Sequence, residues 1–332
     1  MSRRAWLGLW IAAAALIVPA AHLALGRGVD WSELLAGTDT VSWRVLTELR
    51  LPRLVVALFA GTALGLAGLA LQSVLRNSLA APELTAVNPS AVLGYLIASG
   101  TGLIDGGSVF SSVLSATVGG LLGGGLLWLV AHRRTSEQTA VLGLLSALAL
   151  TGVVTILIAA RPTGVGGALR WLIGSVEARV AEHVPMIAIP VLAGFAALVL
   201  VADRLEILAV SDSHAHCLGV SPGFWRGVGI GIAVLLASAA VATVGPLAFV
   251  GFVAPHVVRL VFGGRLRRQV VLVAVCGGLF VAASDLIAKA VSLAIQLTGD
   301  GQQVGVPVGA VICLIGAAAL VVVASSHQES EP

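Results

Sequence analysis

Lysine occurs once in this chain, at Lys289, and Asp, Glu, Lys and Arg together make up only 11% of its 332 residues. Soluble domains carry roughly 25%, so the chain lacks the polar surface that a soluble globule of its size needs. With 58% hydrophobic residues and a mean hydropathy of +1.02, it belongs in a bilayer. The single lysine excludes more. A phosphate-binding loop needs a lysine directly after a glycine-rich turn, and Lys289 follows Ser284-Asp285-Leu286-Ile287-Ala288. Any active transport here must draw its energy from another polypeptide. A formal net charge of +3 is too small over this length to indicate nucleic-acid binding.

Paired thiols are missing too. Cys217, Cys276 and Cys313 are odd in number and far apart, which implies no disulfide framework. No HExxH, GxSxG or Cys–His arrangement appears, so an intramembrane enzyme would lack a nucleophile–base pair. Convincing mid-span carboxylates, the usual mark of ion- or proton-coupled carriers, are absent as well. Asp285 lies one turn before Lys289, a spacing that favours a structural ion pair on one helix.

What is present is apolar sequence in long runs. About 20 apolar residues cross a bilayer's hydrocarbon core. Ten runs that span or nearly span fall near residues 5–25, 52–75, 87–104, 109–131, 139–160, 184–202, 225–244, 247–262, 270–288 and 304–324. The first, preceded by Arg3 and Arg4, is read as a membrane helix rather than a cleaved leader. The run after Gly245-Pro246 is also broken by Pro255, and broken helices survive at membrane depth only against protein or a cavity. The pattern predicts an all-α polytopic membrane protein of about ten helices, one domain over residues 1–332.

An even number of spans puts both termini on one side. With the termini in the cytoplasm, Arg3, Arg4, Arg76, Arg133, Arg134, Arg204, Arg226, Arg259, Arg265, Arg267 and Arg268 lie inside. Arg27, Arg44, Arg50, Arg53, Arg161, Arg170, Arg179 and Lys289 lie outside. The bias has the expected inward sign, and the outer cations need a reason of their own. Glycine, at 40 residues, lies largely within the helices. Gly61, Gly65 and Gly68 share one face of the second run, and Gly119–Gly125 repeat the pattern in the fourth. Such faces bring helix backbones close in lipid, here within one chain.

Several long stretches resemble one family. "LRLPRLVVALFAGTALGLAGLALQSVLRNSLAAPELTAVNPSAVLG" (Leu49–Gly94), "RWLIGSV" (Arg170–Val176), "VGPLAFVGFVAPHVVRL" (Val244–Leu260), "ASDLIAKAV" and "VGVPVGAVICLIGAAAL" are similar, in order, to blocks of the iron-chelate and vitamin B12 permeases of ABC importers. "LAVSDSHAHCLGVS" looks most like the ferric-citrate and ferric-siderophore branch. The resemblance implies a type II ABC importer permease fold in a bacterial cytoplasmic membrane. It implies a second permease subunit, identical or homologous, two ATPase subunits that bind ATP and Mg, and an extracytoplasmic substrate-binding protein that delivers an iron chelate. This chain itself would hold no cofactor or metal and would catalyse nothing. Haem or cobalamin import on the same scaffold is the alternative within the family. An ion-gradient-driven carrier is the alternative from another class.

The polar island "SDSHAHCLGV" falls in the loop at about 204–224, which the resemblance makes the contact with the ATPase. Asp212, Ser213, His214, Ala215, Leu218 and Gly219 are the candidates. Asp212 or Ser213 can cap a short helix, Gly219 can end it, and Ala215 and Leu218 give it an apolar side. His214 and His216, two apart, point to different faces of a helix, which argues against a metal. By resemblance, Arg50 and Arg53 of "RLPR" and Lys289 dock acidic groups of the binding protein. The alternatives are lipid phosphates, or pairing with Glu48 and Asp285. Gly245, Pro246, Pro255, His256 and Arg259 are expected to be structural, tying helix ends to the coupling loop. The family often carries a glutamate where this chain has Gln302-Gln303. The transport path is expected along the third, fifth and tenth runs, with "RTSEQT" as an inner gate.

Overall fold

The computed structural model of the chain describes residues 3–26, 28–35, 40–104, 108–131, 136–160, 173–298 and 305–328. Arg27, Arg133, Arg134, Arg161, Arg170 and Gln302-Gln303, weighed above, lie outside the described residues, as does the start of "RTSEQT". In chain order the α-helices are α1 (Arg3–Ala24), α2 (Trp31–Leu35), α3 (Thr40–Arg44), α4 (Leu51–Leu75), α5 (Val87–Gly100), α6 (Val109–Ala131) and α7 (Ser136–Ala159). They continue with α8 (His183–Val210), α9 (Asp212–Cys217), α10 (Pro222–Val244), α11 (Val250–Val261), α12 (Leu266–Thr298) and α13 (Val308–Gln328). A π-helical turn, Val45–Arg50, joins α3 to α4 without a break.

Each apolar run falls on a helix, but the helices are not equal. Among the described residues, six are long and apolar enough to cross a bilayer unaided, while Gly8–Ala24, Val250–Val261 and Val308–Val321 are shorter. The 12 residues of α11 rise only about 18 Å and the 14 of α5 about 21 Å. Both follow irregular segments that turn back into the bundle. Gly251, at the start of α11, packs on the carbonyl of Leu64 and on Pro82. Since Leu64 is near the middle of α4, these segments lie at mid-bundle depth. Residues 80–82, 85 and 86 of the first and 245 and 247 of the second are buried against protein, the condition under which irregular backbone is tolerated there.

Helices α4 and α10 form the centre. In their spanning windows 78% and 83% of residues are buried, against 17% for α7 and 22% for α8. Small residues make that centre possible. A β-carbon at Gly61 would collide with the carbonyl of Gly277 on α12, and one at Gly68 with the carbonyl of Gly251 on α11. On α6, Gly119 meets Ser90 and Gly94 of α5 in the same way, and Gly124 meets Val234 of α10. The glycine faces pack within the chain, and any side chain there would force helices apart.

Candidate functional sites at the two ends of the bundle

The polar island folds as one short helix capped at both ends. Ser211 has extended backbone, and its hydroxyl accepts the amide of His214 at 3.0 Å. That is the N-cap contact, made by Ser211 rather than by Asp212 or Ser213. Asp212 is engaged elsewhere. Its carboxylate accepts from Arg76, the residue just past α4, and from Arg226 near the start of α10 at 3.0 and 3.3 Å. Arg76 holds a left-handed φ of 49°, a conformation that costs a non-glycine residue about 1–2 kcal/mol. Its Nε donates to the carbonyl of Leu208 at 3.2 Å, in the last turn of α8. Four helices meet around this carboxylate.

Gly219 closes the helix at φ 72°, and the amide of Val220 returns to the carbonyl of Ala215 at 2.9 Å. Ala215 is fully buried in the chain's own core, so it offers nothing to a partner. Leu218 is 55% exposed, and Ser213, His214 and Gly219 are exposed beside it. Nearby contacts stiffen the same end. The Arg204 guanidinium stacks 5.0 Å from the Trp225 ring, and Glu206 accepts the amide of Leu266 at 3.0 Å, capping α12.

At the opposite end, Arg50 and Arg53 already hold partners. Arg50 is only 5% exposed, and its Nη1 donates to the carbonyl of Leu23 at 2.6 Å, where α1 ends. Terminal carbonyls lack an intrahelical donor, and a cation there complements the helix dipole. Arg53 grips Asp285 with two bonds, Nε to Oδ2 at 2.8 Å and Nη2 to Oδ1 at 2.7 Å. His22 Nε2 lies 2.7 Å from the same Oδ2, and both His22 and Asp285 are buried. Lys289 donates instead to the carbonyl of His22 at 3.2 Å. The ion pair expected from the Asp285–Lys289 spacing thus gives way to Arg53, whose planar fork matches a carboxylate with two parallel bonds. Glu48 pairs with Arg44 at the surface, 3.2 Å away.

Between the ends, the "GPLAFVGFVAPHVVR" block locks α11 in place. Gly245 ends α10 at φ 77°, and the Pro246 carbonyl packs so closely on Gly174 that a β-carbon there would collide. Ser175 donates its amide to Val244 at 2.8 Å, and Gly309 donates to Gly174 at 3.2 Å. Residues 174–175 are thereby held between the end of α10 and the start of α13. Pro255 is buried within α11, and the His256 ring stacks on Phe252 at 5.5 Å. Arg259 bonds to Gln72 of α4, whose Nε2 donates to the Gly251 carbonyl at 3.1 Å. Arg259 therefore ties α11 to α4. The ties to the 204–224 loop come from Arg76, Arg226 and the Glu206 cap on α12.

The FecCD transport family matches residues 9–326. The chain belongs to this family. Its relatives include the Fe(3+) dicitrate transport system permease protein FecD of Escherichia coli, 36% identical over 87% of this chain and 88% of that one. The ferric enterobactin permease protein FepG of Escherichia coli is 34% identical over 84% and 81%. The cobalamin import permease BtuC of Halobacterium salinarum is 30% identical over 85% and 73%. The fold matches a metal-chelate type ABC transporter solved in an inward-facing conformation, with a TM-score of 0.83 over 96% of this chain and 98% of that one, at 22% identity.

Within this FecCD chain, the structure adds a carboxylate that the sequence pattern passes over. Glu83 sits in a 3₁₀ turn, Pro82–Leu84, beside Gly251, and its Oε1 accepts the amide of Phe249 at 2.5 Å. Phe249 caps α11 at φ 65°. Buried Oε2 has no partner among the described residues. A carboxylate at mid-bundle depth thus exists, and scarcity of such groups no longer argues against an ion-coupled carrier. Family membership does. Beside this turn, α5, α6 and α7 line an open apolar pocket of about 450 Å³, with Gly94, Ile97, Leu122 and Leu142 among its walls.

Proposed function

We propose that this chain is the permease subunit of an ABC importer that moves a ferric siderophore or similar iron(III) chelate across a bacterial cytoplasmic membrane. The observation that carries the substrate class is the 36% identity to an Fe(3+) dicitrate permease over 297 residues. The Asp212 end, with α9 and both termini, is then cytoplasmic. There α9 presents Leu218, Gly219, His214 and Ser213 to a partner ATPase that hydrolyses MgATP. The chain contributes no catalytic group of its own. A second permease subunit, identical or homologous, covers the apolar faces that α7, α8 and α13 leave exposed. An extracytoplasmic binding protein delivers the chelate to the Arg53 end. Apolar walls along α5 and α7 suit a large cargo that must pass without sticking.

Co-purification from membranes, with mass spectrometry of the complex, tests the assembly. An ATPase with one or two permease species is the expected result. Recovery of this chain alone would count against it. Vesicle uptake of iron-labelled ferric citrate against cobalamin tests the cargo, and preferential cobalamin uptake would favour the second reading, which the Halobacterium relative supports.

A further inference from the structure

Helix α9 continues from α8 through Ser211 and leads into α10 through Val220 and Ser221. Its tie to α4 is made through space. That tie is Asp212, whose carboxylate is shared by Arg76 beyond α4 and Arg226 on α10. Arg76 takes up left-handed backbone at the point where it reaches both Asp212 and the end of α8. We infer that Asp212 is a positioning residue, which hangs α9 from α4 and α10 and passes the movement of α9 into these two most buried spans. This rests on the coupling role proposed for α9, and it moves Asp212 from the partner-facing set to an internal linkage. Arg76 and Arg226 join it.

The geometry suits a moving joint. Asp212 is about half exposed (47%), while Arg226 is 14% exposed and its Nε is buried without a partner among the described residues. The arginine is held in place by its surroundings and the carboxylate is the adaptable member. Two guanidinium groups on one carboxylate let α9 tilt toward either without losing both. Leu218, the residue just past α9, is exposed, so a push there turns α9 about its anchored start.

The test uses the assembled transporter in lipid nanodiscs, with spin labels on native Cys217 and on Ser78→Cys in a chain carrying Cys276→Ala and Cys313→Ala. With Asp212 intact, the distance between labels stays narrowly distributed when ATP is added and changes by no more than the small turn of α9 about its anchor, because α9 stays tied to the end of α4. With Asp212→Asn the distance should shift or broaden on ATP addition, and uptake per ATP should fall about tenfold, within the usual range of coupling between sites. Arg226→Gln combined with Asp212→Asn should do no more than Asp212→Asn alone, as expected of partners in one linkage. An unchanged distance and unchanged uptake per ATP in Asp212→Asn overturn the inference. So does loss of the ATPase from Asp212→Asn, since the carboxylate would then touch the partner directly. Leu218→Asp tests the underlying coupling role separately: if it retains the ATPase and normal uptake, α9 is not the contact surface.

Discussion

The two ends of the bundle use the same pairing, arginine on aspartate, in opposite surroundings. At the Arg53 end, Asp285 is 1% exposed and collects Arg53 and His22. At the other, Asp212 is 47% exposed and collects Arg76 and Arg226. A buried carboxylate must keep its partners, because an uncompensated charge there is costly. An exposed one can exchange partners for water at small cost. The first cluster therefore fastens α1, α4 and α12 together, and the second can work as a joint. The same contrast bears on docking. For Arg53 to reach an acidic group on a binding protein, that group must compete with Asp285 for the fork.

Breaking the buried cluster should have the largest effect. Asp285→Ala leaves Arg53 and His22 facing each other in a dry site, and a loss of about 3–5 kcal/mol is expected. It would be read as a lower unfolding temperature and poorer yield in detergent. If Asp285→Ala and Asp212→Ala cost the same, burial is not what separates the two clusters. Next comes Gly68→Leu, which drives a side chain into the Gly251 carbonyl. Overpacking of this kind costs about 1–3 kcal/mol, and because it displaces α11 from α4, thermal unfolding should register it. Gly125→Leu, where a β-carbon meets nothing within 4 Å, should leave the unfolding temperature nearly unchanged.

Which of these features the sequence could reveal follows from how far each signal travels. Apolar runs are local, and all ten fall on helices. The glycine faces of Gly61, Gly65 and Gly68 are local as well, as is the turn at Gly219. The Asp212–Arg76 pair joins residues 136 apart, and the Arg53–Asp285 pair joins residues 232 apart. Periodicity carries no trace of such pairings. A lone acid in a polar loop and a lone cation at each neighbouring helix end were the available hints. Asp285 and Lys289 misled for the opposite reason: an i,i+4 spacing is visible locally, whereas pairing of Arg53 with Asp285 stands in the sequence only as an alternative to docking. Glu83 stayed hidden because a segment that turns back to mid-depth looks like an ordinary loop.

A smaller effect is expected from the docking face. In low salt, a binding protein held by charge should bind the Arg53→Gln transporter less well than the unchanged one, by roughly tenfold or less, and the difference should shrink as salt rises. Because Arg53 also neutralises Asp285, the Asp285→Asn/Arg53→Gln pair is the sharper variant, removing the buried charge along with the fork. If a pull-down shows unchanged docking for that pair at low salt, Arg53 belongs to the buried cluster alone, and the exposed Arg44 becomes the candidate to examine.

The smallest effect sets the floor of the comparison. Arg44 and Glu48 form an exposed pair four residues apart, joined at 3.2 Å. Pairs of this kind contribute about 0.3–0.5 kcal/mol and fade with salt. Arg44→Ala should therefore move the unfolding temperature by less than any change at Asp285, and 1 M salt should abolish what difference remains. A shift as large as that of Asp285→Ala would mean that exposure does not grade these pairs. The case for a rigid Arg53 cluster and a compliant Asp212 joint would then lose its physical basis, since both rest on water competing for a carboxylate at one end and being excluded at the other.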